Sequence, residues 1–160
     1  MSWLPKPKPR DSQRRRLYAA EGQVAAINRD MLPTVLDIEA FVDEMLASHW
    51  LRTQFTPRVL EQIRVVSGRE NRAAYARGAT ISVPFWARSK FIVIHEVAHI
   101  LCGRYYGKDF IAAHGPEFAT LQVAMVTQFL GQADGLELHL AFMRFGVKHT
   151  FSGATLAASA

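Results

Sequence analysis

The segment from Lys90 to Tyr106, KFIVIHEVAHILCGRYY, places two histidines and a glutamate inside a strongly apolar stretch of the chain. His95 and His99 are four residues apart, so on an α-helix they share one face and both imidazoles can reach one point. Polar side chains in a buried helix are costly unless they have a partner, and a metal ion supplies one. The segment therefore predicts a core helix, from about residue 87 to residue 102, that carries a metal site.

The HExxH spacing is typical of zinc hydrolases, in which two histidines bind the ion and the glutamate acts as the general base. We therefore predict Zn²⁺ as the cofactor, His95 and His99 as ligands, and Glu96 as the catalytic residue that takes a proton from a zinc-bound water. A catalytic zinc site has a third protein ligand and keeps one coordination position open.

Two candidates for the third ligand lie in the segment AAHGPEF. His114 precedes a Gly-Pro pair that is typical of a helix start, so it stands on a loop that can fold back on the motif helix. Glu117 is the alternative ligand, although a carboxylate in a first helical turn is also favoured by the helix dipole. We favour His114.

Other side chains near the motif leave alternatives open. The extended motif HExxHxxGxxH is excluded, because Cys102 and Tyr105 occupy its glycine and histidine positions. Cys102 fits a small buried residue better than a ligand. His49 and His139 fit core or surface positions. The candidates for an oxyanion-stabilising residue are Tyr75, Tyr105, Tyr106 and Arg144, and the sequence does not distinguish between them.

The pattern of the remaining chain predicts an α+β fold, with about five helices around a small sheet of about three strands. Helices are predicted from Asp11 or Ser12 to about residue 30, over residues 36–50, from Pro116, and over residues 134–146. Thr34 followed by Asp37 favours a start just before the second of these helices. Residues 63–68 predict a strand. Residues 73–84 predict two strands that turn at Arg77-Gly78. We expect a peptide substrate to pair with the strand ATISVP.

The length of 160 residues is that of one domain. We predict a flexible, basic, proline-rich arm over residues 1–10, one domain over residues 11–148 and a disordered tail over residues 149–160. No apolar stretch is long enough to span a membrane, the N-terminus lacks the apolar region of a secretory signal, and Cys102 is the single cysteine. A reducing cytoplasm is the expected location.

The net charge of +5 is concentrated at the N-terminus. Six basic residues and one acidic residue lie within the first 16 positions, so the rest of the chain is neutral. Short basic runs are usually solvated, but this one can also make a weak nucleic-acid contact through residues 6–16. A nucleic-acid-associated module and a non-catalytic, zinc-stabilised protein are therefore the alternatives to an enzyme that acts on a protein or peptide.

The motif HEVAH, followed by a loop and HGPEF, resembles the SprT-like (Spartan-type) zinc metallopeptidases. The resemblance covers about residues 63–130 and includes the strand GATISVP. It implies a minimal zincin-like fold, peptidase activity and a role for His114 as the third zinc ligand. The N-terminal segment RDSQRRRLYAAE is similar to a group of metallohydrolases from actinobacteria and their phages, and this likeness covers most of the chain.

Overall fold

Six α-helices and three short strands form the fold of residues 6–151, the part of the chain that the computed structural model describes. The helices are α1 (Arg14–Glu21), α2 (Val35–Ala47), α3 (His49–Gln54), α4 (Lys90–Cys102), α5 (Pro116–Phe129) and α6 (Gln132–Arg144). The strands are β1 (Arg64–Ser67), β2 (Tyr75–Arg77) and β3 (Thr80–Val83). Because the strands are grouped between two sets of helices, the predicted α+β class is confirmed, with six helices instead of about five.

The sheet has the order β1-β3-β2, in which β3 runs parallel to β1 and antiparallel to β2. The predicted hairpin is confirmed. Arg77 pairs with Thr80, and Gly78 in the turn between them has a φ of 59°, which glycine adopts without steric cost. β3 is therefore the central strand, and β2 is an edge strand of the described sheet.

Helix α4 lies at the centre of the fold. Ten of its thirteen residues are buried, because the helix packs against α2, α5 and both strands of the hairpin. Contact on nearly all sides explains why this helix, apart from its HExxH residues, is almost entirely apolar after Lys90. The predicted start near Ala87 is wrong. Residues Phe85–Ala87 form a separate 3₁₀ turn, and α4 begins after Ser89, whose hydroxyl accepts a hydrogen bond from the Ile92 N–H at 3.2 Å.

The first predicted helix is also shorter than expected. Helix α1 ends at Glu21, and a separate 3₁₀ turn, Ala25–Asn28, follows. The N-cap is Gln13, not Asp11 or Ser12. The buried Gln13 amide donates to the Lys148 carbonyl at 3.2 Å and accepts from the Lys148 N–H at 2.9 Å. These two hydrogen bonds hold the start of α1 against the segment that follows α6.

The second predicted helix, over residues 36–50, is two helices in the structure. Its predicted start is confirmed, because Thr34 and Asp37 form a capping box. Ser48 then adopts an extended conformation, which ends α2, and its hydroxyl caps α3 by accepting from the Leu51 N–H. His49 is consequently the first residue of α3.

The ends of the described chain differ in their contacts. Residues 6–10 are exposed and have no helix or strand, while residues 1–5 of the predicted arm lie outside the described part. In the predicted tail, His149 lies 2.8 Å from His139 (Nε2 to Nδ1) and the Phe151 ring stacks on His139. Residues 152–160 lie outside the described part. Among the described helices, none combines the length and the apolar character needed to cross a bilayer.

Candidate metal centre

Three histidine side chains converge on one side of α4. Nε2 of His99 lies 3.1 Å from Nε2 of His95 and 3.1 Å from Nε2 of His114. The candidate ligand atoms of the three residues all lie within 4.8 Å of one another, and within residues 6–151 they form the one cluster able to hold a metal ion. The structure thus brings together the three histidines that the sequence predicts as ligands.

The loop before α5 carries His114 to the cluster. Pro116 is the first residue of α5, and Gly115 precedes it in an extended conformation. The backbone is tightly packed there, since a Cβ at Gly115 would lie 3.2 Å from both Cβ and O of Ala112. Asp11 holds the loop from outside, because its Oδ1 accepts a hydrogen bond from the His114 N–H at 3.0 Å.

Two carboxylates orient the outer nitrogens of the ligands. Oε1 of Glu21 lies 2.6 Å from Nδ1 of His95, and Oδ2 of Asp11 lies 2.8 Å from Nδ1 of His114. A nitrogen beside a carboxylate carries the proton and donates it, so the Nε2 atoms of both rings present lone pairs to the cluster. Glu21 is held in turn by the buried Gln122 amide, which donates to Oε1.

The charge state of the three imidazoles follows from this environment. Burial lowers the pKa of His95, but the charge and hydrogen bond of Glu21 outweigh it, so that the pKa is raised overall. Burial, with help from the other two histidines, lowers the pKa of His99 to about 2. Burial also lowers the pKa of His114 despite its hydrogen bond to Asp11. His99 and His114 are therefore neutral at pH 7, as metal ligands must be.

The donor set fits a metal ion that prefers nitrogen ligands. Tetrahedral zinc at 2.0–2.1 Å from its ligands separates two ligating nitrogens by roughly 3.3 Å. The two Nε2 separations of 3.1 Å in the structure are close to this value. A cation between the rings would satisfy lone pairs that turn toward one another, and two of the rings already have carboxylate partners of the kind that zinc-bound histidines usually have.

Aromatic rings enclose the cluster. The fully buried Phe118 ring stacks on His99 with a centroid separation of 4.2 Å and meets His95 and His114 edge-on. On the other side, Tyr18 stacks on His95, and its hydroxyl lies 3.1 Å from Nε2 of His114. Tyr18 is 44% exposed and therefore forms part of the wall between the cluster and solvent.

Glu96 is positioned differently from the histidines. Its side chain is buried but lines the same open cleft as His99 and His114. No group within residues 6–151 donates a hydrogen bond to its carboxylate. Burial raises the pKa of Glu96 to about 7, with Glu21 adding to the shift and His95 opposing it. A carboxylate with this pKa can accept and release a proton near neutral pH.

The cleft beside the cluster has a volume of about 820 Å³. Its walls come from α1, from the end of the β1–β2 loop with β2, and from the segment after α4. A cleft of this size holds a short stretch of polypeptide or a small molecule. The imidazoles of His99 and His114 and the carboxylate of Glu96 all open into it.

The structure places the other candidates outside the cluster. Glu117 and Cys102 are not part of the group able to hold a metal. Cys102 is buried, and burial together with Glu117 raises the pKa of its thiol to about 12. Tyr105 and Tyr106 are exposed and pack on each other, and of the four oxyanion candidates only Tyr75 lines the cleft.

Sequence reasoning missed four residues of the site, namely Asp11, Tyr18, Glu21 and Phe118. Glu21 is 74 residues from His95 and Asp11 is 103 residues from His114, so no local spacing links them. One signal was available. In the sequence, Glu21 follows Leu17 by four residues and stands next to Ala20, so helical spacing places its carboxylate beside the apolar stripe of this segment. A charge beside a buried stripe requires a partner.

Comparisons of the chain with protein-family models, with curated proteins and with solved structures found no match.

Proposed function

We propose that this protein is a zinc-dependent hydrolase, most simply a metallopeptidase of the SprT-like kind. One observation carries the proposal: three imidazole Nε2 atoms converge beside a buried carboxylate that has no hydrogen-bond donor within residues 6–151, and the group opens into a cleft. A zinc ion held by His95, His99 and His114 supplies a Lewis acid that polarises a substrate carbonyl and makes water acidic. The single cysteine fits a reducing cytoplasm, which we propose as the location.

Four side chains of the protein have separate roles in the proposed reaction. Glu96 accepts a proton from the attacking water and passes it to the leaving amine, for which a pKa near 7 is well suited. Glu21 and Asp11 fix the orientation of two imidazoles and increase their basicity. The Tyr18 hydroxyl, on the wall of the cleft, is the donor we assign to the substrate carbonyl oxygen.

A peptide substrate has an edge strand to pair with, but it is not the strand expected from the sequence. β3, which contains most of ATISVP, is central and hydrogen-bonded on both sides. β2 lies at the edge, and residues 72–76, which include its first half, line the cleft. We therefore propose that the substrate backbone adds to β2, which holds it extended beside Glu96.

The test is metal analysis combined with turnover. Purified protein is loaded with zinc, and its metal content and its cleavage of an unfolded protein are measured for the wild type and for Glu96→Gln. We expect Glu96→Gln to retain one zinc per chain and to lose activity by about 10²–10⁴-fold, since general base catalysis contributes a factor of this order. An active Glu96→Gln protein, or a wild type that binds no metal, would refute the proposal.

A further inference from the structure

The wall of the cleft carries an excess of positive charge. Five cationic side chains line it, and Glu96 is the one carboxylate among the lining residues. The cations are Lys8, Arg14, Arg72, Arg104 and Lys108. The neutral balance of the chain beyond the N-terminus therefore conceals a locally basic site, to which the arm, α1, the β1–β2 loop and the segment after α4 each contribute.

Four of these cations are available to a ligand. Lys8, Arg14, Arg72 and Lys108 are exposed, and none of them has an ion pair within the described residues. The guanidinium of Arg14 also lies over the ring of Tyr18, which forms part of the wall of the cleft. Arg104 is different, because its guanidinium donates to the backbone carbonyls of Val59, Glu61 and Gln62 and so fixes the wall itself.

Like charges that are gathered around a concave surface repel one another, and an anionic ligand relieves that repulsion. Glu96, His99 and His114 line the same cleft, so one bound molecule can present an anion to the cations and a bond to this site. We propose that the substrate is an extended peptide segment with acidic side chains. This inference rests on the proposed function, and it names the substrate class of that site.

The geometry favours an acidic peptide over a nucleic acid. The edge of β2 offers alternating backbone N–H and C=O groups, which an extended peptide backbone can pair with and a phosphodiester chain cannot. A cleft of about 820 Å³ also suits a few residues of polypeptide, whereas a duplex spreads its phosphates over a much broader surface.

The experiment measures binding, so that it does not depend on turnover. All proteins carry Glu96→Gln and are loaded with zinc. Fluorescence anisotropy gives the Kd of a labelled twelve-residue peptide that contains four glutamates, and of the same peptide with glutamine at those positions. We expect the acidic peptide to bind at least about tenfold more tightly in low salt, and the difference to shrink to about twofold in 1 M NaCl.

Charge reversal identifies the surface. Arg72→Glu combined with Lys108→Glu should abolish the tenfold preference. The matched control is Arg52→Glu combined with Arg58→Glu, which changes the same charge at exposed positions outside the cleft and should keep the preference. Circular dichroism checks that both double variants are folded. If one of them is not, the loss of the acidic preference at high salt in the parent protein still tests whether the binding is electrostatic.

The outcomes separate the two proposals. Equal affinity for the two peptides, or an equal effect of both double variants, would overturn the inference. Tighter binding of a DNA oligonucleotide that competes with the peptide would also overturn it, in favour of a nucleic-acid ligand. A preference for the acidic peptide in a protein whose wild type cleaves nothing would support the acidic ligand class of the cleft, but it would count against the proposed function and so against the peptide as a substrate.

Discussion

Oε1 of Glu21 lies 2.6 Å from Nδ1 of His95, although the two residues are 74 positions apart in the chain. The pair is buried, and the Gln122 amide donates to the same carboxylate oxygen. Helix α1 is therefore part of the candidate metal centre, and the carboxylate that it contributes sets the direction in which the His95 lone pair points.

Replacement of Glu21 by Gln should weaken zinc binding. The substitution keeps the shape of the side chain but removes the charge that orients and strengthens the His95 ligand, and losses of about 10–100-fold in affinity are typical of such partners. Competition with a chromophoric chelator measures the Kd. Glu44→Gln is the control, because Glu44 is exposed on α2 and lies away from the cluster. Identical affinities for the two variants would contradict the role assigned to Glu21.

Removal of the metal should lower the melting temperature. A ligand that binds the folded state at 100 times its Kd stabilises it by about 2.7 kcal/mol, which corresponds to roughly 5–10 °C for a chain of this size. We expect a zinc-dependent increase of this order in the wild type and less than about a third of it in His114→Ala, when both are measured at the same zinc concentration by differential scanning fluorimetry.

The control for that measurement is His49→Ala, which removes an exposed imidazole at the start of α3. It should retain the full response to zinc. If neither zinc nor a chelator changes the melting temperature of the wild type, the three histidines do not bind zinc in solution.

Replacement of Tyr18 by Phe tests the assigned hydrogen-bond donor. The phenyl ring preserves the stacking on His95, but the hydroxyl that lies 3.1 Å from Nε2 of His114 is lost. We expect kcat to fall by roughly 10–100-fold and KM to change by less than about twofold, as for the loss of a donor that acts in the transition state. Tyr105→Phe should leave both constants unchanged. Full activity of Tyr18→Phe would reduce Tyr18 to a packing role.

The thiol of Cys102 should be unreactive in the folded protein. It is 2% exposed, and burial with the neighbouring Glu117 raises its pKa to about 12. At pH 8 roughly one molecule in ten thousand then carries the reactive thiolate. Titration with a disulfide reagent should show no fast reaction in buffer and one thiol per chain in guanidinium chloride. A fast reaction in buffer would place Cys102 near the surface and reopen its candidacy as a ligand.

Helices α5 and α6 pack so closely at Gly135 that an added methyl group should lower the stability of the fold. A Cβ at Gly135 would lie 2.8 Å from Cβ of Thr127, and the Thr127 hydroxyl would be closer still. Gly135→Ala should therefore destabilise the fold by about 1–3 kcal/mol, measured by urea unfolding. Gly103→Ala should stay within about 1 kcal/mol of the wild type, because Gly103 has a helical φ of −61° and open space around it.

The sequence predicts those parts of the molecule that depend on local spacing. The motif in α4, the capping box at Thr34 and the turn at Gly78 are all encoded within a few residues, and the structure contains each of them. The convergence of His114 with the motif was also foreseen, because a Gly-Pro pair fixes the start of α5.

Three features of the structure are not predicted from the sequence, because each depends on contacts between segments that are distant in the chain. Asp11 looks like a helix cap, but its carboxylate instead bonds His114, 103 residues away. The strand β3 looks like an edge until β1 is found to run parallel to it. Likewise, the basic cleft emerges only when Lys8, Arg72 and Lys108 are brought together by the fold.

The hydrogen bonds between Gln13 and Lys148 that attach α1 join segments 135 residues apart, and this separation affects when the fold can be completed during synthesis. The ribosome makes Asp11 and Glu21 well before it makes His114 and the anchoring Lys148 backbone. A contact this distant in sequence forms slowly, because a long loop must close before it. The candidate metal site, with α1 held in place, is therefore complete only after the chain has been synthesised past Lys148, 135 residues after Gln13.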